Sequence, residues 1–283
     1  MIPAPFEYSR ARNLAQALDA LGRRGTKVVA GGQTLIPLLR FRMAQPARLV
    51  DISAIPQLRG ITETPRGLRI GSATTYAELL ASPLLHKRVP LIAEACRGIG
   101  DRQVRNLGTI GGGIAHADPA SDMPAVLLAL GASITLRSKR ASRTVSASGF
   151  FTGMMTTVVK PTELLVDIVI PTLPSGAGSA YANIEQPASG YALAGAAAVV
   201  IKQDGRISQA TLALTGVGPH AYLVDVGGLI GTAGSKQKLA QVTEGLPGLD
   251  DVNEDIHASA TYRSHLARVV ARRALASAIE RAK

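Results

Sequence analysis

The sequence predicts an α+β protein built in two parts, and three observations carry that prediction. Short apolar strands alternate with helical patterns as far as Ile170. A proline- and glycine-rich stretch, Pro171–Gly178, then breaks the pattern as a linker. Beyond it come three strands, the last two joined by Asp204-Gly205, a pair suited to a two-residue hairpin, and then helices. The expected domains are residues 1–173 and 174–283.

Asn13–Leu21 reads as a helix because Leu14, Ala15, Leu18 and Leu21 recur at helical spacing, and Gly22 and Gly25 end it. Lys27–Ala30 is a short buried strand and Gly31-Gly32-Gln33-Thr34 a tight loop. Leu35–Arg42 is helical, with Pro37 tolerated in the first turn. Leu49–Ile52 and Leu68–Ile70 are strands, the second after a turn at Pro65-Arg66-Gly67. Thr75 is placed to N-cap a helix over Tyr76–Leu80, and Leu91–Arg97 is the next helix. Gly108–Gly113 is a second glycine-rich loop. Met123–Leu130 is helical, and Ser133–Arg137 and Leu164–Ile170 are strands. In the second part Ser179–Ile184, Ala192–Gln203 and Ile207–Gly216 are strands, and Lys236–Val242 and Thr261–Ala282 are helices. There is no internal repeat.

Composition narrows the function. The 283 residues are 46% hydrophobic and 18% charged, an ordinary globular balance, but 4% aromatic with no Trp, so the core must be aliphatic. The single cysteine, Cys96, excludes an internal disulfide. It also excludes an iron–sulfur cluster held by this chain alone, since such clusters take about four thiolates. Cys96 reads as a small buried hydrophobe and fits a reducing compartment. Met1–Arg12 carries Glu7 and Arg10 and lacks the apolar core of a signal peptide. The apolar stretches at Ala125–Leu136 and Tyr191–Ile201 are shorter than the roughly 20 residues that span a bilayer. A soluble, cytoplasmic protein with no transmembrane segment is expected. The net charge of +11 suits nucleic acid, a membrane surface or an acidic protein partner. Its densest patch, Arg137–Arg143, reads as a solvated hairpin and has no interleaved aromatics for stacking bases.

The residues that carry chemistry are the two glycine-rich loops, Ala30–Thr34 and Thr109–Gly113. A diphosphate needs backbone N–H groups aimed at it with no Cβ in the way, and glycine permits that approach. Gln33, Thr34 and Thr109 add side-chain donors. Two such loops from distant parts of the chain can close on one pyrophosphate, although each by itself reads equally well as a plain turn. There is no Walker-type loop. Gly216-Val-Gly218-Pro-His-Ala221 mimics a dinucleotide fingerprint, but Pro219 lacks the N–H a phosphate would use. The histidines His86, His116, His220, His257 and His265 lack metal-ligand spacing, so no metal site is expected. Asp118-Pro119 and Ser121-Asp122 read as turn and cap chemistry. No catalytic constellation is present. The chain therefore has groups to hold a cofactor and few to transform a substrate.

Val29-Ala-Gly-Gly-Gln-Thr-Leu-Ile-Pro37 with Leu49-Val-Asp-Ile52 resembles the first FAD motif of the flavoprotein subunits of molybdenum hydroxylases. These are the medium chains of carbon monoxide dehydrogenase, of aldehyde- and N-heterocycle-oxidising enzymes, and the flavin domain of xanthine dehydrogenase. Ile70–Thr75, Ile99–Gly112, Ala117–Pro124, Glu163–Leu165, Glu185–Ala192, Tyr262-Arg263 and Arg272-Arg273 extend the resemblance in the same order over nearly the whole chain. It implies a two-subdomain FAD-binding domain of the vanillyl-alcohol-oxidase type followed by a small C-terminal α+β domain.

The resemblance also implies roles. Val29, Ala30, Gly31, Gly32, Gln33, Thr34 and Leu35, with Thr109, Ile110, Gly111, Gly112 and Gly113, would hold the FAD around its pyrophosphate. Asp122 would bind the ADP-ribose portion, Ile99 and Gly100 would line the cleft, and Leu165 would pack near the isoalloxazine. Implied partners are a small iron–sulfur subunit carrying 2Fe-2S clusters and a large molybdopterin subunit, in a dimer of heterotrimers. Electrons would run from molybdenum through the clusters to FAD and on to an external acceptor. The substrate pocket would lie in the large subunit. Four positions depart from the pattern. Gln33 stands where many relatives have His, Gly113 where many have Asn, Asn183 where many have Lys near the flavin, and Gly190 where Asp is common. Tyr191 reads either as stacking near the ring or as filling the core of the second sheet. The competing functions are a self-sufficient FAD oxidoreductase of the same fold and a basic nucleic-acid-binding protein.

Overall fold

The computed structural model describes residues 2–283, and in it the first part of the chain resolves into two units. The first is a three-stranded parallel sheet of β1 (Glu7–Arg10), β2 (Thr26–Val29) and β3 (Arg48–Asp51) in the order β1-β3-β2. Helices α1 (Leu14–Leu21) and α2 (Leu35–Arg40) make the connections. α1 starts where the Asn13 side chain accepts the Gln16 N–H, and it buries Ala17, Leu18 and Leu21. The turn after β2 sits at the carboxyl edge of this parallel sheet, the usual place for a ligand in such an arrangement.

The second unit is an antiparallel sheet of five strands: β4 (Ile61–Thr64), β5 (Gly67–Gly71), β6 (Ser133–Arg137), β7 (Ser142–Ser146) and β10 (Leu164–Ile170), ordered β4-β5-β10-β6-β7. A short ribbon, β8 (Phe151–Gly153) with β9 (Thr156–Thr157), precedes β10. Six helices lie between β5 and β6: α3 (Tyr76–Ala81), α4 (Pro83–Arg88), α5 (Pro90–Cys96), α6 (Arg102–Leu107), α7 (Ile110–His116) and α8 (Asp122–Ala129). α3 opens with a capping box, Thr75 and Glu78 each bonding the other's backbone N–H. The core is mostly aliphatic, as composition requires, with Phe150 and Phe151 among its few rings, and Cys96 lies in it fully buried, its thiol pushed up by desolvation.

The third unit is the antiparallel sheet β11 (Gly178–Glu185), β12 (Ala192–Gln203), β13 (Arg206–Thr215) and β14 (Tyr222–Val224), with α9 (Lys236–Val242) and α10 (Ala260–Arg281). The Asp204-Gly205 hairpin forms as expected, with φ of 52° and 74°. β12 is buried on both faces. Ala194, Ala196, Ala198 and Val200 pack with α10, while Ala197 and Val199 join the core of the second unit. α8 meets that other face of β12. All eight of its residues are buried, which the apolar run from Met123 to Ala129 anticipates and the carboxylate of Asp122 at its start does not.

Several short elements go beyond the sequence expectation, for local reasons. β1 has the sequence EYSR and is exposed along its length, so no apolar alternation marks it. α6 buries none of its residues. The expected loop at Gly108–Gly113 is a correction: from Ile110 onward it is the first turn of α7. Thr109 caps that turn by accepting the Gly112 N–H at 3.2 Å. Tertiary packing overrides the low helix propensity of glycine here. A Cβ on Gly111 would come within 2.5 Å of the Ser72 Cβ, so only glycine lets α7 lie this close to the chain after β5.

Candidate functional site

A cavity of about 860 Å³ opens where the three units meet. Its size suits a dinucleotide-scale ligand. One wall is the Ala30–Thr34 turn after β2, where Gly32 takes a left-handed φ of 73°. That reversal leaves the backbone N–H groups of residues 31–35 without an acceptor among the described residues. Successive N–H groups around such a turn form a concave anion cradle. The Gln33 amide donates back to the Gly31 carbonyl at 3.1 Å and braces the turn.

The facing wall is the start of α7. The two glycine runs touch: a Cβ on Gly31 would sit on the Leu107 carbonyl oxygen and lie 2.8 Å from the Gly108 Cα. They are unequal as donors, however. Ile110 N–H bonds the Thr74 carbonyl at 3.1 Å and Gly111 N–H the Ser72 carbonyl at 2.9 Å. The second run therefore presents mainly a bare glycine face, and the first supplies the free N–H groups.

Most of the expected site residues line this cavity: Val29 through Leu35, Ile99, Gly100, Thr109, Gly111, Gly112, Gly113, Asp122, Leu165 and Tyr191. Two do not. Ile110 has its side chain in the hydrophobic core and its N–H occupied, because the helix turns it inward. Asn183 stands behind Asp122, donating to it at 3.4 Å and to Glu185 at 3.1 Å. Tyr191 is 41% exposed and lines the cavity, which removes it from the core of the second sheet. Ser72, Tyr76 and Thr26 line the cavity without having been expected. Ser72 lies in the Ile70–Thr75 segment already marked as informative.

The donor chemistry fits FAD. The Ser72 and Thr26 hydroxyl oxygens are buried at the cavity wall with no hydrogen-bond partner, and such groups call for one. Toward one end the site is acidic. Asp122 is buried and its carboxyl is pushed up to about 7, chiefly by desolvation and further by nearby Glu185. Hydrogen bonds from the Tyr181 hydroxyl and Asn183 work in the opposite direction. At another edge Arg143 grips Glu163 through two bonds of 2.8 Å and holds that carboxyl down at about 2. Among the described residues no group of three or more His, Cys, Asp or Glu is placed to hold a metal ion.

The chain matches two family models end to end. "FAD binding domain in molybdopterin dehydrogenase" matches residues 4–173, and "CO dehydrogenase flavoprotein C-terminal domain" matches residues 179–278. It is 38% identical over 282 residues to the carbon monoxide dehydrogenase medium chain of Hydrogenophaga pseudoflava, covering 98% of each. It is 36% identical to the 6-hydroxypseudooxynicotine dehydrogenase complex subunit alpha of Paenarthrobacter nicotinovorans, covering 100% of this chain and 97% of the relative. Among solved structures it superposes on a chain of the Hydrogenophaga pseudoflava carbon monoxide dehydrogenase with a TM-score of 0.96, at 38% identity over 100% of both chains. Quinoline 2-oxidoreductase from Pseudomonas putida 86 gives a TM-score of 0.93 at 31% identity over 99% of both.

Proposed function

Because the chain belongs to the FAD-binding medium subunits of the molybdenum hydroxylases, we propose that it holds FAD in the central cavity and works as the electron-transfer subunit of a multi-subunit oxidoreductase. The observation that carries the proposal is the run of five backbone N–H groups, residues 31–35, without a protein acceptor on the wall of one cavity that the glycines of α7 also line. Such a cradle neutralises a diphosphate by dipoles alone. Thr109, Ser72 and Gln33 add side-chain donors around it. Leu165 and Ile99 supply apolar surface, and Tyr191 closes the exposed side. Bound FAD would supply the redox chemistry, receiving electrons from iron–sulfur clusters on a small subunit, fed by a large molybdopterin subunit, and delivering them to an external acceptor. The division of labour at residues 173 and 174 is part of the same proposal. So are a cytoplasmic location and assembly as a dimer of heterotrimers. Among the described residues no helix is long and apolar enough to cross a membrane.

The net charge of +11 supports docking on acidic faces of partner subunits. The direct test is the absorbance spectrum of the purified chain with acid release of its cofactor. FAD without iron is the expected result. A chain that stays colourless after reconstitution with FAD and after co-expression with its neighbouring subunits would overturn the proposal.

A further inference from the structure

Tyr76 begins α3, and its ring passes against Gly108 toward α7. The side chain is largely buried and lines the cavity, and its hydroxyl makes no hydrogen bond to another described residue. The oxygen is not among the fully buried unpaired atoms, so it opens onto the cavity, where it is free to bond a ligand. The opposite wall is cut to admit it. A Cβ on Gly113 would collide with the Tyr76 hydroxyl oxygen. Gly113 lies inside α7, where glycine is unfavourable relative to alanine, and it is not among the glycines with positive φ. The room for the Tyr76 hydroxyl is therefore the structural reason for a glycine there.

From this geometry we infer that Tyr76 is a cofactor-positioning residue whose hydroxyl donates a hydrogen bond to an oxygen of the bound dinucleotide, with Gly113 as the gap that lets it reach. The inference rests on the FAD reading above. Burial pushes the phenol well above its ordinary range, with Cys96 and Asp122 adding to the effect, so the group keeps its proton and serves as a donor. Neither Tyr76 nor its pairing with Gly113 follows from the motif resemblance. The contact is local to this chain's own packing.

The test is a double-mutant cycle on FAD affinity, read by quenching of flavin fluorescence as FAD is titrated into the apo-protein. Tyr76→Phe keeps the ring and removes the donor. It is expected to weaken FAD about tenfold, the loss typical of a hydrogen bond to a charged acceptor. The melting temperature of the apo-protein should not fall, because the deleted hydroxyl has no partner there. Gly113→Ala should weaken FAD in the otherwise unchanged protein and add nothing further in the Tyr76→Phe background. A Tyr76→Phe protein that binds FAD within twofold of the unchanged chain would overturn the inference while leaving the FAD reading intact. So would strictly additive effects of the two substitutions. If Tyr76→Phe fails to fold, Gly113→Ala alone decides, and unchanged affinity there overturns the inference. Failure of the unchanged chain to bind FAD would remove both.

Discussion

Gly31→Ala tests the closeness of the two glycine runs with a single methyl group. The new Cβ would sit on the Leu107 carbonyl oxygen, 2.6 Å from the carbonyl carbon and 2.8 Å from the Gly108 Cα. All are backbone atoms at the end of α6, so no side chain can rotate out of the way. Ordinary contact at roughly 3.5–4 Å, with the carbonyl oxygen as the nearest atom, requires the 30–34 turn to withdraw by about 1.5 Å or more. An N–H···O bond of about 2.9 Å stretched by that amount is no longer a hydrogen bond. If two of the five cradle N–H groups lose the diphosphate at about 1.5 kcal/mol each, affinity falls by about 3 kcal/mol, roughly a hundredfold in Kd. Gly31 is not among the glycines with positive φ, so the effect is steric and not conformational. Gly245→Ala is the control, since a Cβ there meets nothing within 4 Å. The assay is FAD titration of both apo-proteins beside the unchanged chain. A Gly31→Ala protein that binds FAD within about threefold of the control would refute the cradle argument.

Three further outcomes are expected. Asp122 has its pKa raised to about 7 in the fold, against about 3.9 in an unfolded chain. Its contribution to stability is therefore complete below about pH 4 and is lost as pH rises toward 7, by up to about 4 kcal/mol. Asp122→Asn should flatten the urea-midpoint profile across that window, and a slope equal to that of the unchanged chain would contradict the burial account. Arg263 is buried and donates to the Leu193 and Gly216 carbonyls at 2.7 and 2.9 Å and to Asp255 at 2.7 Å. Arg263→Met strands two carbonyls and should cost about 2–6 kcal/mol in denaturant melts, at about 1–3 kcal/mol for each stranded group. A loss under about 1 kcal/mol would mean that water reaches them. Finally, the assembled complex should dissociate more readily at high salt than at low salt if the +11 charge docks on acidic partners. Salt-independent dissociation, measured by size-exclusion chromatography, would count against that surface.

How much of this was legible in the sequence depends on whether the cause was local. The helical spacing of Leu14, Leu18 and Leu21 and the Asp204-Gly205 turn act through neighbours a few residues away, and both elements form where the pattern places them. The Ala30–Thr34 turn was also legible, because glycine at a sheet's end has few other uses. The form of the second glycine run was not. Its helix depends on packing against Ser72, distant in sequence from Gly111. Asp122 read as cap chemistry beside Ser121, yet burial raises its pKa, with Glu185 on β11 adding to the rise and hydrogen bonds from Tyr181 and Asn183 on the same strand opposing it. Tyr76 was visible only as the first residue of a helix. That its hydroxyl ends unpartnered at Gly113 is a property of two helices brought together, which neither segment encodes alone.

The burial of α8 has a consequence for how the chain can be divided. Residues 171–178 look like a natural cut site, and the matched family models end and begin on either side of them. Energetically the two parts share a packed contact, that of α8 on β12. Severing the chain there would leave α8, with its eight buried residues, facing water on one fragment, and the Ala197–Val199 face of β12 on the other. Each fragment would carry an apolar patch of the kind that drives aggregation. The two halves should accordingly melt in one calorimetric transition. A gene fusion that exchanged only the C-terminal half would have to bring a matching α8 with it.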